Sequence, residues 1–234
     1  MVFAERGDMN YGIIAAAGKS ERMGPSVDKV FLNLGSQPVL AYSLLAFEKC
    51  HDIDGVILVV RKDRVEAARS VVQMFGCSKV KRVLAGAATR QASVTNGLDA
   101  IGKDVSVVAV HDGARPCVNP AMISETIKSA KKYGSGVAAV KITDTVKQVD
   151  RGMTIIKTVD RTKLWVVQTP QTFKIELLHK AFDLVKRKNL AVTDEASAVE
   201  LVCDDVRLVQ APLSNIKITT ADDLNLAAAL LKLS

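Results

Sequence analysis

Short, continuous apolar runs alternate with longer amphipathic segments along the first half of this chain, and few folds accommodate that alternation. The runs at residues 11–16, 55–60 and 105–110 have strand length and lack an in–out rhythm, as strands buried on both faces do, and residues 80–84 read as a further strand. Between them, residues 38–50 place Leu40, Leu44 and Phe47 at helical spacing. Residues 63–76 open with Asp63 and Glu66 in a capping-box arrangement and stop at Gly76. Residues 89–101 read as a helix ended by Gly102. Asn119 and Pro120 pair as N-cap and first helical residue of a helix that ends near Gly134. Repeated βα of this kind predicts a mostly parallel sheet with helices on both faces and ligands bound beyond the carboxyl ends of the strands.

The rhythm changes after Val137. Residues 143–164 are β-rich around Asp150, Arg151 and Gly152, a natural tight turn, and read as a β-hairpin arm leaving the main body. A two-stranded hairpin is marginal alone, so this arm needs a surface to pack on, either a second subunit or its own domain. The tail returns to βα: a helix at 175–188, a second helix capped by Thr193 with Asp194 and Glu195 in its first turn, short strands at 206–210 and 216–218, and a closing helix capped by Thr220. The 234 residues contain no repeat and no interdomain linker, so the expectation is one α/β, Rossmann-like domain over residues 1–234 with the arm as an appendage. Residues 1–10 read as a loose leader; Glu5, Arg6 and Asp8 stand where a signal peptide needs an apolar run, and no stretch reaches transmembrane length. Cys50, Cys77, Cys117 and Cys203 are far apart without a C-x-x-C pair, which points to reduced thiols and a cytoplasmic protein.

The loop after the first run, within GIIAAAGKSERMGPSVDKVFL, carries the strongest chemical signal. Ala15, Ala16, Ala17 and Gly18 leave backbone N–H groups bare, and Lys19, Arg22 and Lys29 follow as phosphate-binding charges. This is a triphosphate cradle that is neither a P-loop nor a dinucleotide fingerprint. A net charge of +7 favours anionic partners; with 4% aromatic residues and no basic–aromatic interleaving, a small anion ranks above nucleic acid. Asp112, in HDGARP with Arg115, stands at a strand end, where it serves either as a Mg²⁺ ligand or as a turn-capping aspartate. Gly86, Ala87, Ala88 and Ser93 belong to a second small-residue loop that opens a helix and offers polar groups to a base edge. Arg161, Thr193 and Lys217 are further phosphate candidates, although residues of this kind taken singly are more often solvated charges or ordinary caps. No nucleophile elbow, Cys–His pair or zinc spacing is present, which leaves chemistry that needs charge and positioning, as phosphoryl and nucleotidyl transfer do.

AAAGKSERMG, HDGARP, DTVK, TVDR with LW, QTPQTF, TDEASA and NIKIT, in this order and spacing, resemble the 2-C-methyl-D-erythritol 4-phosphate cytidylyltransferase family across nearly the whole chain. The resemblance implies CTP and a methylerythritol phosphate as substrates, a CDP-alcohol and pyrophosphate as products, and Mg²⁺ on Asp112. It assigns catalysis to Arg22, Lys29 and Lys217, and nucleotide contacts to the Ala15–Gly18 loop, Lys19, the Gly86–Ser93 loop and Gly113. Substrate contacts fall to Thr145, Arg161, Thr169, Thr193 and Arg115. It also implies a homodimer through the arm, with neither nucleic acid nor membrane as a partner. Two departures stand out: Ala87 and Ala88 where the family often has glycine and aspartate, so that one ribose or base contact is lost or made by backbone, and Gly113 in place of alanine, expected to be silent. Ribitol-5-phosphate as the acceptor and a catalytically idle nucleotide binder are the competing expectations.

Overall fold

A computed structural model of the chain describes residues 8–18, 20–24 and 27–233. In chain order its strands are β1 (Met9–Ala16), the two-residue strands β2 (Asn33–Leu34) and β3 (Gln37–Pro38), β4 (Gly55–Val60), β5 (Val80–Ala85), β6 (Val105–Asp112), β7 (Ser135–Lys141), β8 (Val146–Val149), β9 (Ile155–Val159), β10 (Trp165–Lys174) and β11 (Leu208–Gln210). The helices are α1 (Val39–Lys49), α2 (Val65–Met74), α3 (Arg90–Asp99), α4 (Pro120–Tyr133), α5 (Ile175–Lys188), α6 (Glu195–Val199) and α7 (Ala221–Leu230). Seven strands form one sheet in the order β11–β7–β10–β6–β1–β4–β5. All its pairings are parallel except those of β10, which runs antiparallel to both β6 and β7.

The continuous apolar runs are explained by two cores. Ile14, Leu58 and Val107 pack on one face with Leu40, Leu44 and Phe47 of α1 and Ile123 and Ile127 of α4. Ile13, Ile57 and Val108 pack on the other with Val94 and Leu98 of α3 and Leu178 and Phe182 of α5. Neighbouring residues of one strand thus bury in opposite cores, each fully buried Leu, Ile or Phe contributing roughly 1.5–3 kcal/mol. The Asn119 side chain accepts from Met122 N–H at 2.9 Å, Pro120 occupies the first turn, and Gly134 closes α4 at φ +92°. A side chain is strained in that left-handed conformation, so glycine is the residue that ends the helix there.

Several expectations are corrected. Met9 and Asn10 belong to β1, and Asn10 is buried, with its N–H on Asp54 Oδ2 at 2.8 Å. Asp63 caps nothing: Arg61 holds it at 2.9 and 3.1 Å, and α2 starts two residues later. The helix at α3 stops at Asp99 without a left-handed glycine at 102. The cap of α6 is Asp194, whose Oδ1 accepts from Ser197 N–H at 2.9 Å, so Thr193 lies one residue outside it. Residues 216–218 pair with no strand; Ile218 N–H instead reaches Ala114 O at 2.8 Å. β8 and β9 pair with each other in a separate sheet, and the turn between them is closed by Asp150 Oδ1, which accepts from Gly152 and Thr154 N–H at 2.9 Å. Among the described residues, no helix is long and apolar enough to cross a membrane.

Candidate active site

The carboxyl ends of β1, β5 and β6 meet at a cavity of about 550 Å³, lined among others by Ala15, Ala16, Ala17, Gly18, Arg22, Lys29, Ala87, Ala88, Arg90, Ser93, Asp112 and Lys217. Its floor is the bare backbone after β1, where a Cβ on Gly18 would meet nothing within 4 Å. The wall opposite is the β5–α3 loop, and the two touch at Gly86. A Cβ there would lie 2.4 Å from Ala17 Cβ and 2.9 Å from Ser93 Oγ, so only glycine allows the approach. Ser93 is buried; its hydroxyl accepts from Ala87 N–H at 2.9 Å and donates to Thr89 O at 2.8 Å. Ser93 therefore shapes the loop rather than offering a free hydroxyl to a ligand.

Asp112 ends β6 and is the charged centre. Its Oδ1 accepts from Arg90 Nε and Nη2, both at 3.1 Å, and its Oδ2 from Lys217 Nζ at 2.6 Å. Burial alone raises its carboxyl, but the charges of Arg90, Lys217 and Arg115 outweigh burial and hold it well below the usual carboxylate range. Lys29 stands on a single helical turn, Lys29–Phe31, at the cavity edge. Burial, then the like charges of Lys217 and Arg22, lower its pKa. Arg22, Lys29, Arg90 and Lys217 thus face one carboxylate among the described lining residues, an excess of positive charge that a polyphosphate relieves.

Arg90 and Glu195 are the functional pair that sequence reasoning missed. The guanidinium bridges two buried acids, with Nη1 on Glu195 Oε1 at 2.6 Å and Nη2 on Glu195 Oε2 at 3.0 Å besides its bonds to Asp112. The partners lie 22 and 105 residues away, so no local spacing announces them. The available signal is an arginine as first helical residue at the end of a small-residue loop.

The remaining site residues fall in three places. Gly113, Arg115 and Thr169 lie behind the cavity. Gly113 N–H bonds Ala15 O at 2.9 Å, and Arg115 Nη1 donates to Asn215 O at 2.8 Å, anchoring the segment that carries Lys217. The Thr169 hydroxyl accepts from Asp112 N–H at 3.0 Å and meets His111 Nδ1 at 3.1 Å; antiparallel β10 places it there. Burial drives His111 down to about 3, so it is a neutral packing residue. Exposed Thr193 lines a neighbouring groove together with Arg90 and Glu195. Thr145 and Arg161 are exposed on the segment of the β8–β9 hairpin and do not line the cavity, and Lys19 lies outside the described residues. No cluster of three His, Cys, Asp or Glu side chains among the described residues could hold a metal. A divalent ion here fits only as Mg²⁺-type sites do, on one carboxylate completed by phosphate oxygens.

The family model for 2-C-methyl-D-erythritol 4-phosphate cytidylyltransferase matches residues 11–233. The enzyme of that name from Alkaliphilus oremlandii is 40% identical over 221 residues, 94% of each chain. That from Dehalococcoides mccartyi is 41% identical over 220 residues, 94% of this chain and 95% of the other. The 4-diphosphocytidyl-2C-methyl-D-erythritol synthase structure from Anaerococcus prevotii superposes with a TM-score of 0.84 at 30% identity, covering 97% of this chain and 99% of that one. The cytidylyltransferase structure from Francisella tularensis gives 0.79 at 32% identity, covering 95% and 100%. The matching family is one of nucleotidyltransferases, enzymes that typically use a divalent metal. By sequence over almost its full length, and by fold, the chain belongs to the 2-C-methyl-D-erythritol 4-phosphate cytidylyltransferase family.

Proposed function

We propose that this cleft transfers the cytidylyl group of CTP to the phosphate of 2-C-methyl-D-erythritol 4-phosphate, releasing pyrophosphate and 4-diphosphocytidyl-2-C-methyl-D-erythritol for non-mevalonate isoprenoid synthesis in the cytoplasm. The convergence of Arg22, Lys29, Lys217 and Asp112 on one cavity above the bare Ala15–Gly18 backbone carries this reading. The triphosphate lies along that backbone with Arg22 on the leaving pyrophosphate. Lys29 and Lys217 flank the α-phosphate, where they bind more tightly as charge accumulates during in-line attack by the acceptor phosphate oxygen. The acceptor is already a nucleophile, so no general base is required. Asp112 would hold Mg²⁺ together with phosphate oxygens, and that ion supplies charge neutralisation at the polyphosphate. Ala87 N–H is occupied by Ser93, so cytosine is read by other backbone groups of the same loop.

The acceptor phosphate is assigned to Thr193 and, from the partner's hairpin in a homodimer, to Thr145 and Arg161. Support comes from the hairpin itself: Met153, Ile155 and Ile156 are 78%, 59% and 58% exposed, an apolar surface for a second copy of the chain. The test is pyrophosphate release from CTP with Mg²⁺, offering methylerythritol phosphate and ribitol-5-phosphate in parallel. Release with the first alone is expected. Release with ribitol phosphate alone would overturn the acceptor, and silence with both despite CTP binding would indicate an idle relative.

A further inference from the structure

Asp28, the residue before Lys29, is a buried acid that the reaction above does not use. Its side chain is 2% exposed, and among the described residues neither carboxylate oxygen makes a well-formed hydrogen bond, the Val30 N–H being the backbone donor that pulls on it. What it faces is Arg64, with Nε 3.7 Å from Oδ2; that Nε is buried and equally without a hydrogen bond. Arg64 lies 3.8 Å from Asp63 as well, but Asp63 is taken by Arg61, which leaves Asp28 as the acid that Arg64 answers. The guanidinium also stacks over Phe31, 5.9 Å from the ring centroid, so it touches the short helical turn on both sides of Lys29. Burial raises the Asp28 carboxyl against the pull of Arg61, the Val30 N–H and Arg64. An acid left this dry is expensive unless a cation answers it.

We propose that Asp28 and Arg64 form a tether that positions Lys29 for the chemical step. Residues 28–31 carry Lys29 between Val30, buried in the core under α1, and the Asp28–Arg64 pair at the start of α2, while Lys29 N–H itself donates to Ser20 Oγ at 3.2 Å. Lys29 itself is repelled by Lys217 and Arg22, so a restraint on its main chain keeps the ammonium in the cavity against that repulsion. The inference rests on the catalytic role given to Lys29 above. A displacement of a charge-stabilising group by about 1 Å costs up to about 100-fold in rate.

The experiment is steady-state kinetics with CTP and the polyol phosphate on Asp28→Ala, Asp28→Asn and Arg64→Met, each also combined with Lys29→Ala. Thermal melts verify that each variant is folded. The tether predicts that the single variants lose about 10- to 100-fold in kcat with KM for CTP moved less than about threefold. In the Lys29→Ala background the same changes should alter kcat less than about twofold, because the group they position is gone. Arg64, the more exposed partner, carries the test if the Asp28 variants do not fold. Unchanged kcat with a lowered melting temperature would make the pair merely structural and overturn the proposal. So would a tenfold loss that persists in the Lys29→Ala background. If Lys29→Ala alone leaves turnover intact, the role of Lys29 falls and the tether with it, whereas an impaired Lys29→Ala beside normal Asp28 and Arg64 variants removes only the tether.

Discussion

Replacing Arg90 with methionine tests the charge arrangement behind the cavity. Glu195 is 1% exposed, and both its carboxylate oxygens are held by Arg90, at 2.6 and 3.0 Å. Asp112 would keep Lys217 at 2.6 Å and Arg115 at 3.8 Å, so the burden of the substitution falls on Glu195. Stripped of its cation, Glu195 takes up a proton in the folded state. Burial already raises the Glu195 carboxyl in the wild type against the pull of Arg90, so the full cost for a carboxyl of ordinary pKa near 4.3, about 3.7 kcal/mol at pH 7 and about 1.6 kcal/mol at pH 5.5, is the ceiling of the added loss. The sign follows from a folded pKa raised above the unfolded one: the variant's penalty grows as pH rises and shrinks as it falls. Urea unfolding of the wild type and Arg90→Met at both pH values should show a loss of up to about 3–4 kcal/mol at pH 7 that shrinks by up to about 2 kcal/mol at pH 5.5. Arg90→Met with Glu195→Gln, which removes both charges, should recover at least half of the loss and erase its pH dependence. A penalty below about 1 kcal/mol, or one equal at both pH values, would refute the idea that Arg90 neutralises a buried Glu195.

Other consequences can be measured on the same protein. His111 stays neutral in the fold, its pKa lowered to about 3, while in the unfolded chain it protonates below about 6.5. Acid therefore erodes stability through this residue as pH falls from 6.5, by about 2 kcal/mol at pH 5, and His111→Asn should flatten that part of the urea-stability profile. Gly86→Ala drives a methyl into Ala17 and Ser93, so CTP affinity by calorimetry should fall at least tenfold, matching about 1–3 kcal/mol of overpacking between the two loops. Lys217→Ala should lower kcat by on the order of 10²-fold, as loss of a preorganised donor does. The proposed homodimer predicts that Ile155→Glu with Ile156→Glu, on exposed hairpin positions, shifts sedimentation to the monomer and lowers turnover together.

The legible parts of this fold were those with local causes. The cap pair Asn119–Pro120 and the stop at Gly134 act within one helix, and the βα rhythm needs only the period of the apolar residues. β10 escaped because its antiparallel insertion between β6 and β7 is a long-range choice, and Pro170 with Gln168, Thr169, Gln171 and Thr172 breaks its pattern. The cap of α6 was displaced by one residue because Thr193 and Asp194 are both competent caps, and the choice fell to Gln171, which donates to Asp194 Oδ2 at 2.8 Å. Asp63 illustrates the reverse: a good capping sequence lost to a neighbouring guanidinium. Within the site, the small-residue loops and the cations beside them were readable because bare backbone and charge are properties of a few adjacent residues. The Glu195–Arg90–Asp112–Lys217 chain of alternating charge was not, since its links span up to 105 residues.

The central claim is that the acceptor's phosphate attacks the α-phosphate of CTP in this cleft. Methylerythritol phosphate labelled with ¹⁸O on its terminal phosphate oxygens, incubated with the protein, CTP and Mg²⁺, tests it by mass spectrometry of the products. Attack at the α-phosphate predicts a CDP-alcohol that retains all the label and a pyrophosphate that carries none. Label in the pyrophosphate, or no CDP-alcohol from a protein that binds CTP, would contradict it.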